Sequence, residues 1–193
     1  MNESHPDIFS LYSSEFVKNS LKRPVELDQD LPSLGIPAHF EKYELPDLGN
    51  NYFGQMRDFI SPFAEQCEQK SFGGNVFTAL YEGLLNAYTH GNKKDNSKNV
   101  LFGSNIKENN IEFIIADEGE KLHPDFMRFI LAHRERTNQQ SNFINWYKFS
   151  DAKKDNEYNN GTGTSFMHAY MDNVLYYKSK DLGGLAVYLS KAK

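Results

Sequence analysis

Residues 79–92 read ALYEGLLNAYTHGN and carry the most informative pattern in the chain. Glu82, Asn86 and His90 recur at every fourth position, so on a helix they share one polar strip. A solvent-facing strip is usually filled with Lys, Glu and Arg, whereas this one combines an acid and an amide with small neighbours. The pattern predicts a helix over about residues 75–90 that another group approaches closely. An ordinary solvated helix face is the alternative interpretation.

A second polar position follows the most apolar segment of the chain. IEFIIAD, residues 111–117, is apolar on both faces and predicts a central strand, which pairs as a hairpin with NVLFGSNI, residues 99–106. Asp117 ends the strand and is followed by Glu118 and Gly119. A carboxylate there can accept a hydrogen bond from an exocyclic amine, and a glycine lets a planar base lie against the backbone. A simple turn is the alternative, since such residues are common in turns.

A glycine-rich loop is the third feature. GTGTS, residues 161–165, precedes the helical-looking SFMHAYMDNV, so backbone amides of a flexible loop and of a helix N-terminus point to one place. That arrangement suits phosphate, although a helix-entry loop capped by Thr164 or Ser165 is the alternative. No G-x-x-x-x-G-K-[ST] motif is present. The three features occur in order, with a long polar segment between the second and third, and together they favour a nucleotide site.

The composition restricts the class of partner. The net charge is −5 and the basic residues are spread along the chain, which argues against a nucleic-acid partner. Cys67 is the only cysteine, so an internal disulfide and a Cys-based zinc cluster are both excluded. The six histidines show no metal-ligand spacing. With no signal-peptide pattern and no apolar run approaching ~18 residues, we expect a cytoplasmic protein that does not enter a membrane.

The motifs together resemble those of the GHKL superfamily of ATPases, in the form found in anti-sigma-factor serine kinases. Residues 79–92 are similar to the N box, and DEGEKLHP, residues 117–124, is similar to the G1 box. GTGTSFMHAYMDNV, residues 161–174, resembles the G2 segment, and GGLAVYL, residues 183–189, resembles the closing strand. The resemblance covers approximately residues 45–193.

The resemblance implies an α+β two-layer sandwich, in which three helices cover one face of a mixed β-sheet. Residues 46–193 would form the ATP-binding domain, with a lid at about residues 119–162. Residues 1–45 would add an N-terminal helix and a linker with an edge strand. The sequence itself supports the added part, because apolar residues recur at helical spacing over residues 6–21 and the proline-rich residues 22–48 contain the extended-looking HFEKYEL.

The resemblance also assigns roles to individual residues. Glu82 would be the general base for the attacking hydroxyl or water, Asn86 would be a Mg²⁺ ligand, and Asp117 would accept a hydrogen bond from the adenine amino group. The remaining nucleotide contacts would come from Gly119, Gly161, Gly163 and Thr164. This set agrees with phosphoryl transfer, which mainly needs positioning, a metal ion and one oriented proton acceptor.

Three positions depart from the family pattern. Lys121 stands where a second G1 glycine is usual, and Thr162 stands where a basic residue often separates the G2 glycines. Leu185 replaces a threonine whose hydroxyl normally helps to bind adenine. Losing that hydroxyl removes one hydrogen bond, about 1 kcal/mol. We therefore expect nucleotide binding to be weakened and not abolished.

The function that the resemblance implies is an ATP- and Mg²⁺-dependent protein serine/threonine kinase. Its substrate would be an anti-sigma-factor antagonist of the STAS type in a partner-switching system, and the resemblance also allows a sigma factor and a second copy of the chain as partners. One alternative is a nucleotide-responsive binding module that transfers no phosphate, which the three departures favour. Another is a histidine-kinase catalytic domain that acts in trans, although its N box normally lacks the A-x-x-H-G ending found here.

Overall fold

Six strands and three α-helices form the part of the chain that the computed structural model describes, residues 33–45, 48–119 and 162–193. The strands are β1 (Ser33–Leu34), β2 (Glu41–Glu44), β3 (Val100–Ile106), β4 (Asn110–Asp117), β5 (Asn173–Ser179) and β6 (Leu185–Ala192). The helices are α1 (Tyr52–Gln69), α2 (Asn75–Asn86) and α3 (Thr162–Tyr170), with a 3-10 turn at Gly49–Asn51 and a π-helix at Ala87–Gly91. The predicted N-terminal helix and most of the predicted lid, with Lys121 and Gly161, lie outside the described residues.

The strands form one mixed sheet in the order β1-β5-β6-β4-β3-β2. Only the short β1 pairs in parallel, with β5, and the other neighbours are antiparallel. The predicted hairpin is present as β3 and β4, and β4 is central because β6 pairs on its other side. The predicted edge strand is β2, whereas β1 at the opposite edge was not predicted. Both edge strands lie within residues 1–45.

The helices pack on one face of this sheet. Strand residues alternate between faces, so Ile111, Phe113 and Ile115 of β4 point to the helices and are at most 1% exposed. Burial of each such side chain contributes about 1.5–3 kcal/mol. The largest side chains in this core include Phe102, Phe113, Met56, Ile60, Leu80 and Leu84. The predicted two-layer α+β fold is therefore confirmed.

The opposite face of the sheet carries a smaller apolar cluster. Its buried members are Phe40, Leu101, Ile114, Ala116 and Ala186. The segment before β2 is held there by Asp181, whose carboxylate accepts hydrogen bonds from the Ile36 N–H at 2.8 Å and from Lys42 Nζ at 3.0 Å. The residues ahead of β2 are thus part of the same packed unit as the sheet.

Two of the predicted helices differ from the structure at their ends. The helix predicted to reach His90 is α-helical only as far as Asn86 and continues as the π-helix, so the regular four-residue strip stops there. The helix predicted through Val174 ends at Tyr170. It ends there because the Asp172 N–H donates to the Ser190 carbonyl of β6 at 2.9 Å, which brings the chain into the sheet. No helix among the described residues is long and apolar enough to cross a membrane.

Candidate functional site

Asp117 ends β4 in a niche that three glycines make possible. Its side chain is buried, and a methyl group on Gly91 would overlap its carboxylate. A methyl group on Gly184 would overlap the Asp117 backbone and carboxylate, and one on Gly119 would lie 2.6 Å from the Gly91 carbonyl oxygen. The backbone therefore closes around this carboxylate at a distance that only glycine permits.

The Asp117 carboxylate is held by backbone donors. Its Oδ1 atom accepts hydrogen bonds from the Gly119 N–H at 2.8 Å and from the Leu185 N–H at 3.1 Å. Burial raises the pKa of Asp117 to about 6, against the opposing effect of these two bonds and of Lys98. The group is consequently ionised in most molecules at pH 7 and is an acceptor there. Its Oδ2 atom faces Gly91.

Glu82 lies on α2 against the first turn of α3. Its side chain is half-buried, and a methyl group on Gly163 would overlap its carboxylate. Burial raises the pKa of Glu82 above its ordinary value. A carboxylate with a raised pKa is a stronger base, which is the property that a general base near neutral pH requires.

Asn86 lies one turn after Glu82 on the same side of α2. Its Nδ2 atom donates to Thr164 Oγ1 at 3.1 Å, so it also faces the first turn of α3. The amide oxygen of Asn86 has the chemistry of a Mg²⁺ ligand. Among the residues that the structure describes, no group of three His, Cys, Asp or Glu side chains could hold a metal ion. Mg²⁺ usually keeps several of its waters and binds substrate phosphates, so it needs few protein ligands, and the Asn86 amide oxygen is the candidate ligand here.

The predicted site residues form two groups joined by α2 and the π-helix. Glu82 and Asn86 meet Gly163 and Thr164 at one end, and Asp117 and Gly119 meet Gly91 at the other. At about 1.5 Å per residue along this helical segment, Gly91 lies roughly 13 Å from Glu82 and roughly 7 Å from Asn86. π-helical turns inside helices occur often at functional sites. An elongated ligand with a different group at each end fits this layout.

Leu185, the position where the family pattern has a threonine, contributes to this site through its backbone. Its N–H donates to Asp117, while its side chain is 6% exposed and belongs to the core under the helices. Compared with the family pattern, this position therefore has an apolar side chain packed in the core in place of a hydroxyl group next to the Asp117 carboxylate.

Sequence reasoning missed three residues of the site. Gly91 and Gly184 enclose Asp117, and the buried Asn92 contacts the residue that follows Asp117 through a hydrogen bond to the Glu118 N–H. The available signals were the His-Gly-Asn ending of the 79–92 motif and the Gly-Gly pair before β6. Neither signal identifies a site residue from the sequence alone, because the end of β4 that packs against both of them is distant in sequence.

Comparison with known families agrees with this geometry. Residues 50–191, about three-quarters of the chain, match the family model of the histidine kinase-like ATPase domain. No curated protein gives a significant match. The matched range contains all three α-helices, both groups of site residues and nearly all of the last strand. The chain therefore belongs to the histidine kinase-like ATPase family, within the GHKL superfamily.

Proposed function

We propose that the protein binds ATP with Mg²⁺ along α2 and transfers the γ-phosphate to a hydroxyl group of a partner protein, as a serine/threonine kinase of the anti-sigma-factor type. An anti-sigma-factor antagonist of the STAS type is the proposed acceptor. The observation that carries this proposal is the half-buried Glu82 carboxylate, with its raised pKa, one turn before Asn86 and against the first turn of α3. Family membership supports the ATP-binding part.

Each group has one task in the proposed reaction. Glu82 accepts the proton of the acceptor hydroxyl, whose oxygen bonds to the γ-phosphorus while the bond from that phosphorus to the bridging oxygen of ADP breaks. Asn86 would hold Mg²⁺ through its amide oxygen, and the ion would supply positive charge to offset the charge of the phosphates. The backbone amides of the first turn of α3 would receive phosphate oxygens in this proposal, because a helix N-terminus favours negative charge.

Asp117 recognises the base in this proposal. Its carboxylate accepts a hydrogen bond from the exocyclic amine of adenine, and Gly91, Gly119 and Gly184 let the surrounding backbone hold that carboxylate in place. Guanine carries a carbonyl oxygen in place of that amine and would be repelled by the carboxylate. The site is therefore expected to prefer ATP to GTP.

Glu82→Gln is the variant that tests the proposed base. Glutamine has nearly the same shape but cannot accept the proton, so we expect phosphoryl transfer to a STAS-type acceptor to fall about 100-fold or more. The dissociation constant for ATP should change little, because Glu82 acts on the hydroxyl and not on the nucleotide. The measurement is transfer of labelled γ-phosphate, with calorimetry for ATP affinity.

Glu65→Gln is the matched control, because Glu65 is an exposed acid on α1. We expect wild-type transfer and wild-type ATP affinity from this variant. Undiminished transfer in Glu82→Gln would remove Glu82 from its role as base.

A second candidate function is a nucleotide-responsive binding module that transfers no phosphate. The specific observation in its favour is Leu185, which packs its side chain into the core where the family pattern has a hydroxyl near adenine. This candidate predicts that ATP alters the affinity for a protein partner while labelled phosphate stays on the nucleotide. The same transfer assay therefore separates the two functions.

A further inference from the structure

Asn92 occupies the inside of a tight turn directly after the π-helix. Its backbone N–H donates to the Ala87 carbonyl at 2.8 Å and closes the last π turn. Lys93 and Lys94 then adopt positive φ angles of 55° and 60°, which turn the chain away. The Asn92 side chain is left pointing inward and is only 1% exposed. A fully buried amide is costly unless it is hydrogen-bonded, so its partners indicate its purpose.

Both ends of the Asn92 side chain bind backbone groups of distant segments. Oδ1 accepts a hydrogen bond from the Glu118 N–H at 2.9 Å, and Nδ2 donates to the Asn99 carbonyl at 2.9 Å. Strand β4 ends at Asp117, so the Glu118 N–H lies just beyond the sheet ladder. One side chain thus ties the end of the π-helix to the residue before β3 and to the first residue after β4.

The peptide that Asn92 holds lies between the carboxylate and a glycine of the candidate site. Glu118 directly follows Asp117 and precedes Gly119, whose N–H donates to Asp117 Oδ1 at 2.8 Å. If the Glu118 amide rotated, the Gly119 N–H would move with it, and the Asp117 carboxylate would lose one of the two donors that fix its orientation. The hydrogen bond from the Glu118 N–H to Asn92 Oδ1 opposes this rotation.

We propose that Asn92 is a positioning residue that orients the Asp117 carboxylate for adenine and so sets the preference for ATP over GTP. This inference rests on the proposed function, since it requires that Asp117 meets the base. Asn92 acts through the Glu118 amide and does not itself contact the nucleotide. A residue that only stabilised the fold would change the free energy of unfolding and leave the ratio of ATP to GTP affinity unchanged.

A neighbouring asparagine provides a matched control. Asn99 donates from its own side chain to the Glu118 carboxylate at 3.1 Å, in an exposed position. Asn99→Ala removes this bond but retains the Asn99 carbonyl, which is the group that Asn92 uses. Asn92→Ala therefore removes the hydrogen bond to the Glu118 N–H, whereas Asn99→Ala retains it.

The test is a calorimetric measurement of ATP and GTP affinity for the folded full-length chain and its variants. We expect Asn92→Ala to weaken ATP binding about tenfold, because the Glu118 amide is no longer held and the Asp117 carboxylate is less well oriented for adenine. GTP binding should weaken less, so the ratio of the two affinities falls. Asn99→Ala should keep the wild-type ratio. If Asn92→Ala does not fold, Asn92→Ser takes its place, because the shorter serine side chain does not span both partners.

A double substitution adds a second, independent measure. If Asn92 acts through the Asp117 carboxylate, adding Asn92→Ala to a chain that already carries Asp117→Asn should not lower the ratio of ATP affinity to GTP affinity any further. A wild-type ratio of ATP to GTP affinity in folded Asn92→Ala would overturn this inference but leave the proposed function standing. A wild-type chain that binds no ATP would overturn the proposed function and this inference with it.

Discussion

Asp117 shows how a single residue can combine burial with charge. Three glycines bring the backbone close to its carboxylate, and two backbone N–H groups donate to one of its oxygens. Burial is the largest influence on this group and raises its pKa to about 6. The ionised carboxylate can therefore accept a hydrogen bond at neutral pH, and the burial of its charge lowers the stability of the fold.

Asp117→Asn should weaken ATP binding while leaving the fold intact. Asparagine can still accept the two backbone hydrogen bonds through its oxygen, but the charged acceptor for adenine is lost. A hydrogen bond to a charged group contributes about 1.5–3 kcal/mol, so we expect a loss of about 10- to 100-fold in affinity by calorimetry. Asp58→Asn, at an exposed position on α1, is the control. Unchanged ATP affinity in Asp117→Asn would remove this residue from the site.

The raised pKa of Asp117 predicts opposite effects of pH on binding and on stability. Between pH 7 and pH 5 the carboxylate takes up a proton and loses its charge, so ATP affinity should fall. The folded state holds this proton more tightly than the unfolded state, whose pKa is near 3.8, so the same acidification should stabilise the fold through this group.

The measurement for this prediction is the ratio of ATP dissociation constants for wild type and Asp117→Asn at several pH values. The ratio removes the titration of the nucleotide and of other groups, and it should approach one as the pH falls below 6. A ratio that stays constant across this range would contradict the prediction.

At the scale of the elements, the close approach of the strand ends to the π-helix depends on glycine. Gly184→Ala would place a methyl group on the backbone of Asp117 and Gly119, which cannot move aside as a side chain can. We expect ATP binding to be lost and the free energy of unfolding to fall by about 1–3 kcal/mol, measured by calorimetry and by denaturant titration.

The adjacent glycine is a stringent control for this variant. Gly183 has a φ of 85° and no atom within 4 Å of an added methyl group. Gly183→Ala should therefore cost about 1–2 kcal/mol of backbone strain and retain ATP binding. Equal loss of ATP binding in both variants would show that the effect of Gly184 is not steric.

Most elements could be predicted because their signals are local. Helix α2 begins at residue 75 as predicted, and the β3–β4 hairpin follows from its two apolar segments, residues 99–106 and 111–117. The π-helix could not be predicted, because it accompanies the contact between Gly91 and Asp117, which are far apart in sequence. The two-residue β1 depends on a partner in β5 and has no pattern of its own.

The contacts of the candidate site could be anticipated where the family motifs specify a side chain. Glu82, Asn86 and Asp117 stand at positions that the family motifs specify, and the structure places each of them against another motif. Asn92 was missed because both its partners are backbone groups, at Asn99 and Glu118. Because nearly every residue has the same backbone groups, the residue types at positions 99 and 118 do not indicate that a side chain binds there.

At the scale of the whole molecule, the candidate site lies on the helix-covered face of the sheet, and the smaller apolar cluster on the opposite face contributes to stability without taking part in the site. Phe40 lies in the cluster on the face away from the helices and is 8% exposed. Phe40→Ala should lower the free energy of unfolding by about 3–5 kcal/mol, measured by denaturant titration. The ATP dissociation constant of the folded variant should stay at the wild-type value.

His39→Ala is the control for this prediction, because the exposed His39 ring packs edge-on against Phe40 but lies outside the cluster. It should change the free energy of unfolding by less than about 1 kcal/mol. A loss of ATP affinity in folded Phe40→Ala would mean that the two faces are coupled.

The central claim is that this member of the histidine kinase-like ATPase family binds ATP along α2 with the help of Mg²⁺. Calorimetric titration of the wild-type chain with ATP, with and without Mg²⁺, tests it most directly. We predict saturable binding that Mg²⁺ strengthens and chelation of the metal weakens. No heat of binding from ATP in the presence of Mg²⁺, with a chain shown to be folded by circular dichroism, would contradict the account.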